Sequence, residues 1–252
     1  MRGNNVKIRL LIGLAIVAFA FFKKCTNRET NQYTGRTQTI NMTVEKEIAI
    51  GFQNRNAMAN EYGGLYPDPG AQARVDMIGK KLVDMSMAKE SGYKFEFHLL
   101  ADNRSINAFA LPGGQIFITN ALYSKLDDAQ LAGVLGHEIG HVLGRHSAER
   151  IAESDFWQTV TAGASVGADM GNLVSSMGQN KLLKNGRNDE IESDKLGVEL
   201  MMYANYNPEA MIEVMQILKA AAGPNRTPEF QSTHPDPDNR IEKIKEVIAS
   251  HR

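Results

Sequence analysis

Leu135-Gly136-His137-Glu138-Ile139-Gly140-His141-Val142-Leu143-Gly144-Arg145-His146 is the stretch whose reading decides the fold. His137 and His141 are four residues apart in an apolar, helix-compatible run, so both imidazoles stack on one helix face and can grip one metal ion. Glu138 borders that face, where a carboxylate can take a proton from a water bound to the metal. On a helical wheel Leu131, Leu135, Ile139 and Val142 form a buried stripe. The histidines point somewhat more than a third of a turn away from it, towards a cleft.

Working outward, Asp127 and Asp128 are suited to cap this helix. Before it the pattern has a period of two. Tyr93–Leu99 alternates apolar and polar residues, and Ile106–Leu111 and Gln115–Thr119 read as two further strands joined through Pro112-Gly113-Gly114. These short separations predict a small antiparallel sheet. Earlier still, Thr43 caps a helix from Val44 to about Tyr62, with Glu45 and Glu47 in its first turn, and Gly63-Gly64 ends it. Pro67-Asp68-Pro69 opens a second helix with Val75, Ile78, Leu82, Val83 and Met85 on its apolar side. After the histidines, residues 156–184 are rich in Ala, Gly, Ser and Met, which suits closely packed helix. Further helices are expected from about Asn188 to Tyr203, from Asn207-Pro208 to Ala222, and from Asp236-Pro237 onward. The expected fold class is α+β: a mainly helical domain around one small antiparallel sheet, with the histidine-bearing helix at its site.

Composition narrows the function. Of 252 residues 42% are apolar and 23% charged, as in ordinary globular chains. Residues 1–28 carry six Lys or Arg and no acid, and the remainder is acidic by seven charges. An acidic body without a basic stripe argues against nucleic-acid binding. Arg2, Lys7 and Arg9 precede the apolar run Leu10–Phe22, which Lys23 and Lys24 close. This is a targeting pattern, either a signal peptide with Ala18-Phe19-Ala20 as cleavage site or an uncleaved membrane anchor. The expected organisation is a signal or anchor at 1–25, a polar tether at 26–42 and a catalytic domain at 43–252. Export to the periplasm or the outer face of the inner membrane follows. Cys25, the sole cysteine, forms no disulfide framework and reads as incidental.

A catalytic zinc ordinarily takes three protein ligands and keeps one position open. His146 sits one residue early for an H-E-x-x-H-x-x-G-x-x-H pattern, and on a continued helix it points about opposite to His137, so it is rejected as a ligand. The later run Asp189-Glu190-Ile191-Glu192-Ser193-Asp194 is the better source. Glu190 and Asp194 share a face at i, i+4. Glu190 can bind the metal, and Asp194 can accept the free ring N–H of a liganding histidine. Alone, such an acidic helix is ordinarily a solvated face; the histidine motif upstream makes the ligand reading preferable.

These pieces resemble the gluzincin metallopeptidases related to HtpX and the CAAX prenyl endopeptidases, in the soluble-domain branch with BepA, LoiP and the mitochondrial OMA-type proteases. The resemblance spans residues 31–245. It rests on Tyr33-Thr34-Gly35-Arg36, on Asn107 to Gly114, on the histidine motif, on Glu190 to Asp194, and on Thr233-His234-Pro235 with Arg240. It implies one zinc ion held by His137, His141 and Glu190, with Glu138 as base. It also implies that His234 and Arg240 approach the site, stabilising the oxyanion or filling the metal's open position. Ser193 stands where the family commonly has Ala, and the chain lacks the extra membrane helices of the prenyl-protease branch, so prenylated substrates are not expected.

The expected activity is zinc-dependent hydrolysis of peptide bonds in misfolded or unassembled cell-envelope proteins. Polypeptide substrate would lie along the strand that includes Asn107, Ala108, Phe109 and Ala110. Partners would be the membrane, through the N-terminal segment, and membrane proteins or chaperones. A membrane-tethered chaperone or assembly factor with a mostly latent metal site is the rival reading.

Overall fold

Side-chain caps set the helix starts. In a computed structural model, which describes residues 2–221, 234 and 240–251, the Thr43 hydroxyl accepts from the Lys46 amide at the head of α2 (Val44–Glu61). Asp68 accepts from the amides of Gly70 and Ala71 to open α3 (Pro69–Asp84). Asp127 and Gln130 close a reciprocal capping box on α5 (Asp128–Leu143), satisfying two amides that the helix leaves orphaned. Between α3 and α5 lie a 3₁₀ turn (Met87–Glu90), strands β3 (Glu96–Leu100), β4 (Ala108–Leu111) and β5 (Gln115–Thr119), and the short α4 (Asn120–Tyr123). After α5 come α6 (His146–Ala168), α7 (Gly171–Tyr203), α8 (Ala210–Ala221) and α9 (Arg240–Ser250). Ahead of α2 stand α1 (Arg2–Thr26) and a hairpin of β1 (Arg28–Thr30) with β2 (Thr37–Thr39).

The α+β class expected from the sequence is the observed one, with one correction to the sheet. Its order is β3-β5-β4; β4 pairs with β5 antiparallel, but β3 pairs with β5 in parallel, so the sheet is mixed. Between β3 and β5 the chain goes through β4, which occupies the far side of β5. A crossover of that length returns the chain in the same direction, which a hairpin cannot do. The start expected for the last helix, at Asp236-Pro237, lies outside the described residues.

Two compact units divide the chain: residues 1–42 with 146–186, and residues 43–145 with 187–252. Residues 146–186 therefore group with the N-terminal segment, a division that a cut at residue 43 alone does not give. In the first unit the segment expected as a tether contains the β1–β2 hairpin, whose Gln38 is buried and donates to Glu149 at 2.8 Å. No helix among the described residues is long and apolar enough to cross a membrane. In the second unit Leu131, Leu135 and Ile139 are fully buried and Val142 nearly so, as the wheel requires. Each such side chain contributes roughly 1.5–3 kcal/mol of burial free energy. That stripe fixes α5 in rotation, which aims its histidine face.

Candidate metal centre

Close helix approach brings the site together. A Cβ on Gly140 would lie 2.8 Å from the Ser193 carbonyl oxygen, and one on Gly197 would lie 3.0 Å from the His137 amide nitrogen. Only small residues at 140, 193 and 197 let α5 and the C-terminal half of α7 come this near, and the approach carries Glu190 to the histidines. Ser193, fully buried against Gly140, thus has a packing reason to be small.

His137 Nε2 and His141 Nε2 are 3.0 Å apart, and His234 Nδ1 lies 3.4 Å from the first and 3.1 Å from the second. Glu190 Oε1 lies 3.2 Å from His234 Nδ1 and 3.4 Å from His141 Nε2, while its Oε2 is 3.4 Å from His137 Nε2. Three ring nitrogens and the two oxygens of one carboxylate thus converge on one spot with nearest approaches of 3.0–3.4 Å, the spacing expected of donors that share an ion at about 2 Å. Hydrogen bonding alone does not account for three ring nitrogens pointed at one spot, since each neutral imidazole has one donor to give. The residues fit a metal ion.

The ring behind the donors is equally specific. His137 Nδ1 lies 2.8 Å from Asp194 Oδ1; donating there leaves the Nε2 lone pair free for a metal. Arg240 donates to both oxygens of Asp194, each at 2.7 Å, and its Nη1 is 3.3 Å from Glu190 Oε2. Its guanidinium thus contacts both carboxylates and lies beside the histidines. His234 Nε2 sits 3.3 Å from the Ala108 carbonyl and 3.6 Å from Glu138 Oε1. Neither oxygen of the fully buried Glu138 has a hydrogen-bond partner among the described residues, a costly state for a carboxylate unless something comes to meet it.

The metal-free electrostatics follow from burial and neighbours. Burial opposes a charge on His137, but the Asp194 and Glu190 carboxylates outweigh it and push its pKa up to about 9. Burial holds His141 well below the ordinary histidine value. Burial raises Glu138. It would also raise Glu190 and Asp194, yet the surrounding histidines hold Glu190 well below the carboxylate range and Arg240 holds Asp194 down.

The sequence-derived residues His137, Glu138, His141, Glu190, Asp194, His234 and Arg240 are thus gathered in one place. His146 is buried at the head of α6, after a helix break at Gly144 and a left-handed Arg145 (φ 56°). On the substrate side, Ala108, Phe109 and Ala110 lie on β4, an edge strand. Asn107 precedes it and is fully buried, its amide donating to Thr119 Oγ1 at 3.1 Å. A contact not anticipated is the buried Glu47, which accepts from Arg145 Nε at 2.8 Å and lies 2.6 Å from its Nη2, pinning the turn that ends α5. In sequence Glu47 looked like a helix-dipole residue; only the left-handed residue after the histidine helix could have hinted at its partner.

Fold and site together define a zincin-like domain in which His137, His141, Glu190 and His234 form a group that could hold a metal ion. The chain belongs to peptidase family M48, whose family model matches residues 69–248. It is 30% identical over 223 residues to the "Beta-barrel assembly-enhancing protease" of Yersinia pestis, covering 82% of this chain and 45% of that protein. To the "Mitochondrial metalloendopeptidase OMA1" of Schizosaccharomyces pombe it is 36% identical over 215 residues, 80% of this chain and 63% of that one. To the "Metalloendopeptidase OMA1, mitochondrial" of Bos taurus it is 28% identical over 271 residues, 98% of this chain and 51% of that one. The chain thus spans less than two thirds of the length of these relatives.

Proposed function

We propose that this chain is a zinc-dependent endopeptidase that hydrolyses peptide bonds in misfolded or unassembled cell-envelope proteins, from the periplasm or the outer face of the inner membrane. The observation that carries this reading is the convergence of His137, His141, Glu190 and His234 donors beside a buried Glu138 whose oxygens have no hydrogen-bond partner among the described residues. One zinc ion bound there would supply an acidified water and a Lewis acid for the scissile carbonyl. Glu138, whose burial raises its proton affinity, takes a proton from the attacking water and delivers it to the leaving nitrogen. Asp194 and Arg240 hold His137 and Glu190 in place. His234 supplies the fourth donor, so it must withdraw before water can enter; once withdrawn it is placed to donate to the developing oxyanion. Substrate backbone adds to the outer edge of β4 along Ala108 to Ala110. Catalysis belongs to residues 43–252, with 1–25 as signal or membrane anchor and 26–42 as connection. The names of the relatives, which speak of β-barrel assembly and of mitochondria, support an envelope or organelle membrane setting and membrane-protein or chaperone partners.

The fourth protein donor also favours a second reading, a chaperone or assembly factor whose metal site stays latent. Purified chain should contain one zinc per molecule and cleave unfolded casein, faster after His234→Ala. Zinc without cleavage in both forms would refute the peptidase and leave the chaperone. Zinc and activity both retained after Glu190→Ala would remove Glu190 from the donor set.

A further inference from the structure

The first unit exposes more apolar side chain than it buries. Its core consists of Ala20, Phe156 and Val160, with Val17, Trp157 and Val174 packed around them. Helix α1 has no polar side chain from Leu10 to Phe22, yet it is packed along one stripe only, through Gly13, Ile16, Val17 and Ala20. A helix that is apolar all round normally has apolar surroundings on every side. Here Leu11 is 66% exposed and Phe22 67%. The helix on which α1 rests shows the same character. Residues 156–168 of α6 and 170–180 across the turn into α7 contain no charged side chain. A Cβ on Gly13 would lie 2.6 Å from the Gly163 carbonyl oxygen and 2.7 Å from Gly167 Cα, the close small-residue crossing that helices use where lipid rather than water surrounds them. Gly178 of α7 in turn lies against the Trp157 ring of α6.

The turn of the α6–α7 hairpin is tied to α1. Arg9 donates to the Val166 carbonyl at 3.1 Å and to Asp169 at 3.0 Å. Around that turn Met170, Leu173 and Met177 are 49–57% exposed, the last two one helical turn apart on the same ridge. The hairpin thus continues the apolar surface of α1.

We propose that the α6–α7 hairpin docks together with α1 into the surface of an anionic lipid bilayer. The inference rests on the reading of residues 1–25 as a membrane segment and extends it to a second part of the chain. Charge selects the occupant. Residues 1–28 hold six cations and no acid; Arg9 is paired with Asp169 and Lys24 with Glu153, and the cationic surplus that remains suits an anionic headgroup layer. Length selects the mode. The charge-free runs of α1 and α6 are each about 20 Å long, short of the roughly 30 Å hydrocarbon core, so the bundle lies in the interface with Leu173 and Met177 among the acyl chains.

Trp157 is the sole tryptophan, so native fluorescence reports on the hairpin alone. The test mixes the full chain with phosphatidylcholine vesicles, with and without phosphatidylglycerol, some carrying brominated acyl chains. The expected result is flotation with anionic vesicles, with Trp157 emission shifted to the blue and quenched by the bromolipid. Leu173→Glu/Met177→Glu, checked for native circular dichroism, should weaken partitioning on the order of tenfold. Flotation with Trp157 unquenched, lost in Leu11→Glu/Leu14→Glu, would overturn the hairpin's part while leaving the N-terminal membrane reading intact. No flotation at all would overturn both. A dimer that Leu173→Glu/Met177→Glu dissolves, without vesicle binding, would assign the surface to a second copy of the chain and overturn the proposal.

Discussion

Glu138 and Asp194 are both buried carboxylates, yet their surroundings assign them different work. Among the described residues Glu138 has no hydrogen-bond partner on either oxygen, with only His234 Nε2 nearby at 3.6 Å, and its burial raises its proton affinity towards the range a general base needs. Glu138→Gln keeps the shape and removes the base; cleavage of unfolded casein should fall about 10²–10⁴-fold while zinc content stays at one per chain. Asp194 is fully paired, by Arg240 on both oxygens and by His137 on one. Asp194→Ala should weaken metal affinity about 10–100-fold by releasing the His137 ring. It should also cost about 3–5 kcal/mol of stability, because the buried Arg240 would lose the carboxylate it grips with two hydrogen bonds. A competition titration with a chelator and a denaturant melt measure the two effects separately; a large loss of zinc affinity without a loss of stability would detach Arg240 from this account.

Helix α5 was legible almost to the residue. Asp127 as cap, the Leu131-Leu135-Ile139 stripe and the histidine pair are all local patterns, and each is where the periodicity placed it. What the sequence could not display is contact between distant elements. The small residues at 136, 140, 193 and 197 carry no local signal, yet they set the distance between α5 and α7. The Glu47–Arg145 pair bridges 98 positions. The parallel β3–β5 pairing escaped for the same reason, since short connections between successive strands favour the hairpin reading until the position of β4 is known. At this scale Gly140→Val should do more harm than its size suggests. The new side chain would meet Ser193 backbone, which has no rotamer to give, so α7 must move and Glu190 with it. The expected outcome is about 1–3 kcal/mol of destabilisation together with loss of stoichiometric zinc. By contrast Leu135→Ala should cost about 2–5 kcal/mol and leave zinc content unchanged in the folded fraction.

Across the second unit the candidate donors join α5, α7 and His234, with Arg240 contacting Glu190 from α9, so binding of a metal there would be linked to folding. A ligand that binds only the folded chain stabilises it by about 4 kcal/mol at a free concentration 1,000 times its dissociation constant. For a chain of this size that is a rise in Tm on the order of 10 °C. The rise must depend on pH. In the metal-free protein His137 holds a proton up to about pH 9, and a metal has to displace it. Between pH 7 and 8.5 each unit of acidification should therefore weaken the apparent zinc affinity about tenfold for that one proton. The metal-free fold shifts in the opposite sense. A histidine whose folded pKa is raised contributes its full stability below about pH 6.5, the unfolded value, and loses it as pH climbs to about 9. The two are one linkage seen from either side, and through it the gap between zinc-loaded and chelated protein widens as pH rises from 6.5 to 9. Paired calorimetric scans at fixed free zinc across that range measure the gap directly. A gap that stays constant with pH would mean that His137 gives up no proton to the metal, and it would remove the Asp194–His137 arrangement from the account of how this site binds.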